Sequence, residues 1–232
     1  MSPQRHFQED LDRLKSTLVG MAGLAEEAVR QAVAALLTRD AKRAADVVEN
    51  DNAIDSLELQ IDDLAINLLA LQQPMARDLR LITMAMRISS DLERVGDHAV
   101  NIAEVVHFLV EAPPFPVIPE IEEMVRVATD MLADALDAFV RGDSALARAV
   151  LARDDRVDEL HENNFRILLT HMMEDPRKIT AGMDLLLISG NLERIADLAT
   201  NILEDVVYLI EGRSVKHHAD EQAPEGQAGP RA

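Results

Sequence analysis

The chain has 232 residues, of which 48% are hydrophobic, and it contains no Cys, no Trp and a single Tyr. The lack of Cys excludes disulfides, cysteine-ligated zinc or iron–sulfur centres and a cysteine nucleophile. The formal net charge is −19, from 42 acidic and 23 basic residues, which disfavours generic binding to nucleic acid or to an anionic membrane surface. A core of Leu, Ile, Val, Ala and Met is typical of helix-on-helix packing.

Several functional classes are not indicated by the sequence. The N-terminal segment is too charged for the apolar part of a signal peptide, and no run of 18 apolar residues occurs. A cytoplasmic protein without direct membrane insertion is therefore expected. A Gly-rich phosphate loop, a Ser/His/Asp arrangement and a nucleophile elbow are all missing, so we expect neither an enzyme nor direct phosphate binding by this chain.

The prolines divide the chain into helices, because proline is costly in a helix interior. Asp40 and Asp143 follow short breaks and are predicted to be N-caps. The six predicted helices run approximately from Phe7 to Leu37, Ala41 to Leu71, after Pro74 to Leu109, Glu120 to Val140, Ser144 to Met173, and after Pro176 to Ile210. Apolar residues recur at intervals of three and four, which predicts helices packed in a bundle.

An internal repeat relates the two halves of the chain. Residues 88–104 and residues 188–204 are identical at ten of 17 positions, and the segments that begin at Asp51 and Asp154 also correspond. The sequence therefore predicts an all-α protein of two tandem, pseudo-symmetric three-helix bundles with long antiparallel helices. The predicted boundaries are 5–111 for the first bundle, 112–119 for a proline-rich linker, 120–211 for the second bundle and 212–232 for a disordered tail.

Acidic residues recur at the same helical phase in both halves. The third and sixth helices carry Glu93, Asp97, Asn101 and Glu104, and Glu193, Asp197, Asn201 and Glu204. The preceding helices carry Asp51, Asp55, Glu58 and Asp62, and Asp154, Asp158 and His161. Such oxygen-rich sets suit Mg²⁺, Mn²⁺, Ca²⁺ or iron. A solvated acidic face is the alternative, and the residues alone leave both interpretations open.

The signature segments resemble those of the PhoU family. Residues 92–102 and 192–197 are similar to its twin signatures, and residues 73–80 are similar to the entry to its third helix. The resemblance covers roughly residues 5–211. It implies homodimers and a regulatory role: damping the phosphate ABC transporter, through its ATPase subunit, and the sensor histidine kinase when phosphate is plentiful.

The resemblance also implies a metal site. Some members of the family carry multinuclear iron or zinc clusters on motifs of this kind, and iron, zinc, manganese or magnesium is the expected cation here. The corresponding residues are Glu93, Asp97, Glu193, Asp197, Asp51, Asp55, Asp154 and Asp158. His161 stands where the first half has Glu58, which leaves room for the two sites to differ in affinity or metal.

Two alternatives remain at this point. A ferritin-like di-metal carboxylate enzyme needs two Glu-x-x-His motifs, whereas this chain has one, from Glu104 to His107. A metal-independent helical adaptor, for this or another transporter, would use the acidic faces to bind basic partner surfaces. Four arginines of the third helix are interpreted as balancing neighbouring acids rather than as an anion site; they are Arg77, Arg80, Arg87 and Arg94.

Overall fold

The computed structural model describes residues 3–112, 115–116 and 118–213, and every regular element in this part of the chain is helical. The α-helices are α1 (Pro3–Thr38), α2 (Ala41–Asn50), α3 (Asn52–Gln72), α4 (Ala76–Glu111), α5 (Pro119–Arg141), α6 (Ser144–Leu151), α7 (Asp154–Glu174) and α8 (Ile179–Glu211). A single 3₁₀ turn, Pro176–Lys178, precedes α8. The prediction of an all-helical fold is confirmed.

Both predicted aspartate caps are present. The Asp40 carboxylate accepts hydrogen bonds from the backbone amides of Lys42 and Arg43 at the start of α2. The Asp143 carboxylate does the same for Ala145 and Leu146 at the start of α6. These bonds satisfy amide groups that have no partner within the first turn of a helix, so each cap fixes where its helix begins.

The structure corrects the second and fifth predicted helices, each of which is two helices. The first break lies at Asp51, between α2 and α3, and the second lies at residues 152–153, between α6 and α7. Asn50 and Asn52, which have low helix propensity, lie on either side of Asp51. The Asp51 backbone stays helical (φ −60°, ψ −38°), so apolar periodicity continues across the break and conceals it in the sequence.

Helices α4 and α8 run antiparallel along the contact between the two halves. His98 Nδ1 lies 2.9 Å from Asn191 Oδ1, and Arg87 Nη2 lies 3.2 Å from Asp205 Oδ1. Helices α1 to α3 pack on α4, and helices α5 to α7 pack on α8. One hydrophobic core includes residues of both halves, among them Leu18, Ile88, Leu132 and Ile188.

The two tandem bundles are thus joined by a shared core. The domain boundaries at 112–119 stay a prediction, and the predicted disordered tail falls almost entirely on residues 214–232, outside the described residues. Among the helices that the structure describes, none combines the length and apolarity needed to cross a membrane.

Candidate functional site

The acidic residues of the first half meet on one surface formed by α3 and α4. Burial raises the pKa of the Glu93 carboxyl above its ordinary range, and the neighbouring carboxylates of Asp97 and Glu58, followed by Asp55 and Asp51, raise it further. Burial likewise raises the pKa of Glu58 and of Asp51, with nearby acids adding to both. The side chains predicted to act together in this half therefore do influence one another electrostatically.

Gly96 is the position that lets the start of α3 approach α4 closely. A Cβ atom at Gly96 would lie 2.9 Å from Ile54 Cδ1 and 3.2 Å from Asp51 Oδ1. The second half has Ala196 at the corresponding position. Gly96 was not predicted from the sequence to be a site residue. The available signal was that one signature has a glycine where the other has an alanine, which indicates a close approach in the first half.

The acidic set of the second half is more strongly neutralised. Burial raises the pKa of Asp154 and of Asp158, and the Asp197 carboxylate adds to both shifts. The Thr200 hydroxyl donates to Asp154 Oδ1 at 3.3 Å, however, and Arg194 Nη1 donates to Asp197 Oδ2 at 3.0 Å. Glu193 is half-buried on α8 and is not among the groups that shift the pKa of the two α7 aspartates.

A buried polar cluster, which sequence reasoning missed, distinguishes the second half from the first. Asn164 is fully buried, and its Nδ2 donates to Ser189 Oγ at 3.2 Å and lies 3.4 Å from Met124 Sδ. His161 Nδ1 lies 3.0 Å from the same Ser189 hydroxyl. The first half has the apolar Ile61 at the position of Asn164, so a polar residue replacing a core residue was the available signal.

The side chains do not form a ready cage for a metal. In the described part of the chain, no three His, Cys, Asp or Glu residues are arranged so that they could hold one ion. The first-half carboxylates nevertheless supply only oxygen ligands from two adjacent helices, which is the donor chemistry that hard cations prefer. Their residue types fit such a cation, and their positions require side-chain rotation before several of them could bind one ion.

The lone Glu-x-x-His motif lies outside the core. Glu104 and His107 are both exposed on α4, whereas the di-metal enzymes direct such residues into the bundle interior. This placement does not favour the ferritin-like alternative.

The four arginines of α4 divide into two groups. Arg87 pairs with the buried Asp205, and Arg94 Nη1 lies 3.8 Å from Asp91 Oδ1, as the sequence interpretation expected. For Arg77 and Arg80 that interpretation is wrong, because neither forms an ion pair with an acid among the residues that the structure describes. Both line an open cleft instead.

An apolar surface covers the outer side of α7 and α8, and we call it the α7–α8 face. These helices run side by side and antiparallel, since His161 bonds Ser189 and a Cβ atom at Gly182 would lie 2.7 Å from Met172 Cγ. Six large side chains at intervals of four, each between 41% and 77% exposed, form the face: Phe165, Leu169, Met173, Ile179, Met183 and Leu187.

The first half lacks a matching face. The corresponding positions carry Asp62, Ile66, Ala70, Leu79, Thr83 and Arg87. A contiguous exposed apolar surface is a common mark of a protein contact. The repeat therefore supplies an internal comparison, in which polar side chains (Asp62, Thr83 and Arg87) interrupt in one module a surface that is apolar at all six positions in the other.

The fold and these surfaces define an all-helical protein made of two copies of one module, with paired acidic helices and an exposed apolar face on α7 and α8. The PhoU domain family matches residues 18–106 and 121–206, which correspond to the two modules. The chain belongs to the PhoU family.

Relatives and solved structures agree with this assignment. The chain is 42% identical over 212 residues to a phosphate-specific transport system accessory protein PhoU homolog of Zymomonas mobilis, covering 90% of this chain and 88% of that protein. It is 41% identical over 209 residues to the homolog of Aquifex aeolicus, covering 90% and 95%. The crystal structure of PhoU from Pseudomonas aeruginosa matches with a TM-score of 0.87 and 39% identity, covering 89% of this chain and all of that one.

Proposed function

We propose that this chain is an accessory protein of a phosphate-specific transport system and acts as a cytoplasmic negative regulator of phosphate uptake and phosphate signalling. It works by binding other proteins rather than by catalysis. Support comes from its family and from relatives that are named as accessory proteins of that system and align over about nine-tenths of the chain. The partners in this proposal are the ATPase subunit of the phosphate ABC transporter and the sensor histidine kinase.

The α7–α8 face is the observation that supports a docking role most directly. Its six side chains lie on two rigid helices, so a partner that covers them removes apolar area from water without first ordering a loop. At its edge, Arg166 pairs with Glu162 and Arg177 pairs with Asp175, so these four charges offset one another. An apolar centre with a balanced polar rim is the usual anatomy of a protein interface.

A matched pair of variants tests this docking role. Leu169→Asp with Ile179→Asp places two charges on the α7–α8 face, while Ile66→Asp with Leu79→Asp makes the same change at the corresponding positions of the first half. All four side chains are at least 41% exposed, so both variants should fold. We expect the first variant to weaken binding to the purified ATPase subunit at least tenfold and the second to leave it nearly unchanged.

The same two variants show whether the α7–α8 face binds the transporter or a second copy of this chain. We also propose homodimerisation, and the molar mass of both variants in sedimentation measurements reports whether the α7–α8 face serves it. Equal loss of ATPase binding in the two variants would argue against the face as the docking surface. A monomer formed only by the Leu169→Asp/Ile179→Asp variant, with ATPase binding retained, would assign the face to self-association instead.

We propose further that a divalent or iron-type cation regulates docking by binding the acidic residues, chiefly those of α3 and α4. A bound cation would supply positive charge that offsets the repulsion among the carboxylates. The first half is the stronger candidate because Asp97 and Asp55 repel each of Glu93, Glu58 and Asp51 there. In the second half, by contrast, Arg194 and Thr200 already contact the aspartates.

Elemental analysis tests the metal proposal. Purified protein should contain stoichiometric metal, and the variant with Glu93, Asp97, Glu193 and Asp197 all changed to Ala should lose it while keeping its helical circular dichroism. Restoring Glu193 and Asp197 alone should recover little of the metal if the first half dominates. Metal-free wild-type protein that still binds its partner would favour the metal-independent adaptor.

A further inference from the structure

An open cleft of about 960 Å³ lies where four helix segments come together, away from both acidic sets. Its walls are the N-terminal part of α1, the start of α4, the C-terminal end of α5 with its following turn, and the C-terminal end of α8. Because it joins α1 and α4 of one half to α5 and α8 of the other, neither module could form it alone.

The charge of this cleft is opposite to that of the whole chain. Among the described residues, the ionisable groups that line it are Lys15, Arg77, Arg80 and Arg141 against the single acid Asp78, although acids outnumber bases 42 to 23 in the sequence. Arg141 Nε lies 2.7 Å from Asp137 Oδ1 and is already paired. Lys15, Arg77 and Arg80 form no ion pair with any acid of the described ranges, so three cations remain available to a ligand.

Arg80 is the cation of this group that lies against the C-terminal end of α8. Its Nη1 lies 3.2 Å from the position that a Cβ atom would take on Gly212, which ends α8 with φ +71°. The negative end of the α8 dipole is therefore next to the guanidinium and helps to keep it in place. The Arg80 Nε is buried and, within the described residues, has no hydrogen-bond partner, so a donor there remains unsatisfied by the protein.

Apolar side chains form most of the rest of the wall. Leu11, Leu81, Phe139 and Leu209 line the cleft beside the cations. The volume falls at the upper end of the range of small-molecule sites, roughly 300–1,000 Å³, and exceeds what a bare inorganic anion needs. Arginine guanidinium groups match phosphate oxygens with two parallel hydrogen bonds, which makes them the preferred partners of phosphoryl groups.

We propose that this cleft binds a small organic phosphate of nucleotide size. Lys15, Arg77 and Arg80 hold the phosphoryl group, and the organic part packs against Phe139 and Leu209. This site is separate from the α7–α8 face and the acidic residues, and the proposal does not rest on the function proposed above. If both hold, the ligand gives the regulator a second input besides a cation.

Titration calorimetry with adenosine monophosphate and adenosine tests the site. The full chain is used with a chelator and about 150 mM salt, which screens the long-range repulsion between a chain of charge −19 and an anion. We expect adenosine monophosphate to bind at least tenfold more tightly than adenosine, and inorganic phosphate to compete with it. The variant Lys15→Gln/Arg77→Gln should weaken binding of the monophosphate at least tenfold.

A matched control separates the cleft from overall charge. Arg126→Gln/Arg166→Gln removes two exposed cations that pair with Asp130 and Glu162 outside the cleft, so it should leave binding unchanged. Lys15 and Arg77 are exposed and unpaired in the described structure, so their variant should unfold at the wild-type temperature. Equal weakening by both double variants, or adenosine monophosphate binding no more tightly than adenosine, would overturn the proposal.

Discussion

Glu93 carries the largest set of neighbouring acids among the residues of the candidate site. Burial is the main cause of its raised pKa, and four other carboxylates add to it. A solvated face would let these side chains separate, but the close approach of α3 at Gly96 keeps Asp51 near α4. Single residues such as Gly96 therefore decide whether a stripe of acids read from a sequence becomes a cluster in space.

The raised pKa of Glu93 predicts how the stability of the protein depends on pH. The folded state holds the Glu93 proton more tightly than the unfolded chain, so the penalty of ionising it is full at neutral pH. That free-energy penalty decreases as the pH falls through the raised pKa of the folded state toward the ordinary glutamate pKa of about 4.3. In metal-free buffer, Glu93→Gln should be more stable than wild type in urea unfolding at pH 7.5, by an amount that shrinks toward pH 4.

Glu104→Gln is the control for this prediction, since it removes one exposed acid from the same helix. Glu104→Gln should have little effect on the free energy of unfolding at either pH. Exposed acids whose pKa is lowered, such as Asp40 and Asp175, make the protein more stable as the pH rises. Their contribution to the free energy of unfolding is the same in both variants, so it cancels in the comparison. A Glu93→Gln protein that is less stable than wild type at pH 7.5 would contradict the account.

At the scale of whole elements, helix ends were predictable and helix breaks were not. The carboxylates of Asp40 and Asp143 cap their helices as their positions after short breaks indicated, because capping is a local hydrogen-bonding effect. The break at Asp51 was missed because the Asp51 backbone stays helical, so the apolar periodicity continues from α2 into α3. The buried Asn164 was missed for a different reason, since its partners Ser189 and Met124 are distant in sequence.

The contact between α4 and α8 contains an ion pair between the buried Asp205 and Arg87. Asp205 is fully buried and Arg87 Nη2 lies 3.2 Å away, while the repeat places Leu187 and Val105 at the corresponding positions. Arg87→Leu should lower the free energy of unfolding by about 2 kcal/mol, less than for a fully buried pair because Arg87 is half exposed. The double variant Arg87→Leu/Asp205→Val should recover most of that loss, since no buried charge remains.

Arg94→Leu provides the comparison for the α4–α8 pair. Its guanidinium lies 3.8 Å from Asp91 and is more than half exposed, so its loss should change the unfolding free energy by less than about 1 kcal/mol. If Arg87→Leu is no more destabilising than Arg94→Leu in urea unfolding, the buried pair does not stabilise the contact.

At the scale of the whole molecule, the two modules have diverged in what their surfaces present. The acids of the first module repel one another, whereas Arg194 and Thr200 engage those of the second. Only the second module carries the α7–α8 face. The repeat and the family signatures were readable in the sequence, but this division was not, because it depends on which apolar side chains stay exposed after packing.

Phosphate uptake by cells is the most direct test of the central claim, that the α7–α8 face docks this chain onto the transport system to restrain uptake. Cells that lack the gene for this protein would express the wild type, Leu169→Asp/Ile179→Asp or Ile66→Asp/Leu79→Asp at equal levels. The initial rate of labelled phosphate uptake would then be measured in phosphate-rich medium. We expect the wild type and the Ile66→Asp/Leu79→Asp variant to lower uptake, while the Leu169→Asp/Ile179→Asp variant leaves it as high as in the deletion. An α7–α8 variant that restrains uptake as well as the wild type would contradict the central claim.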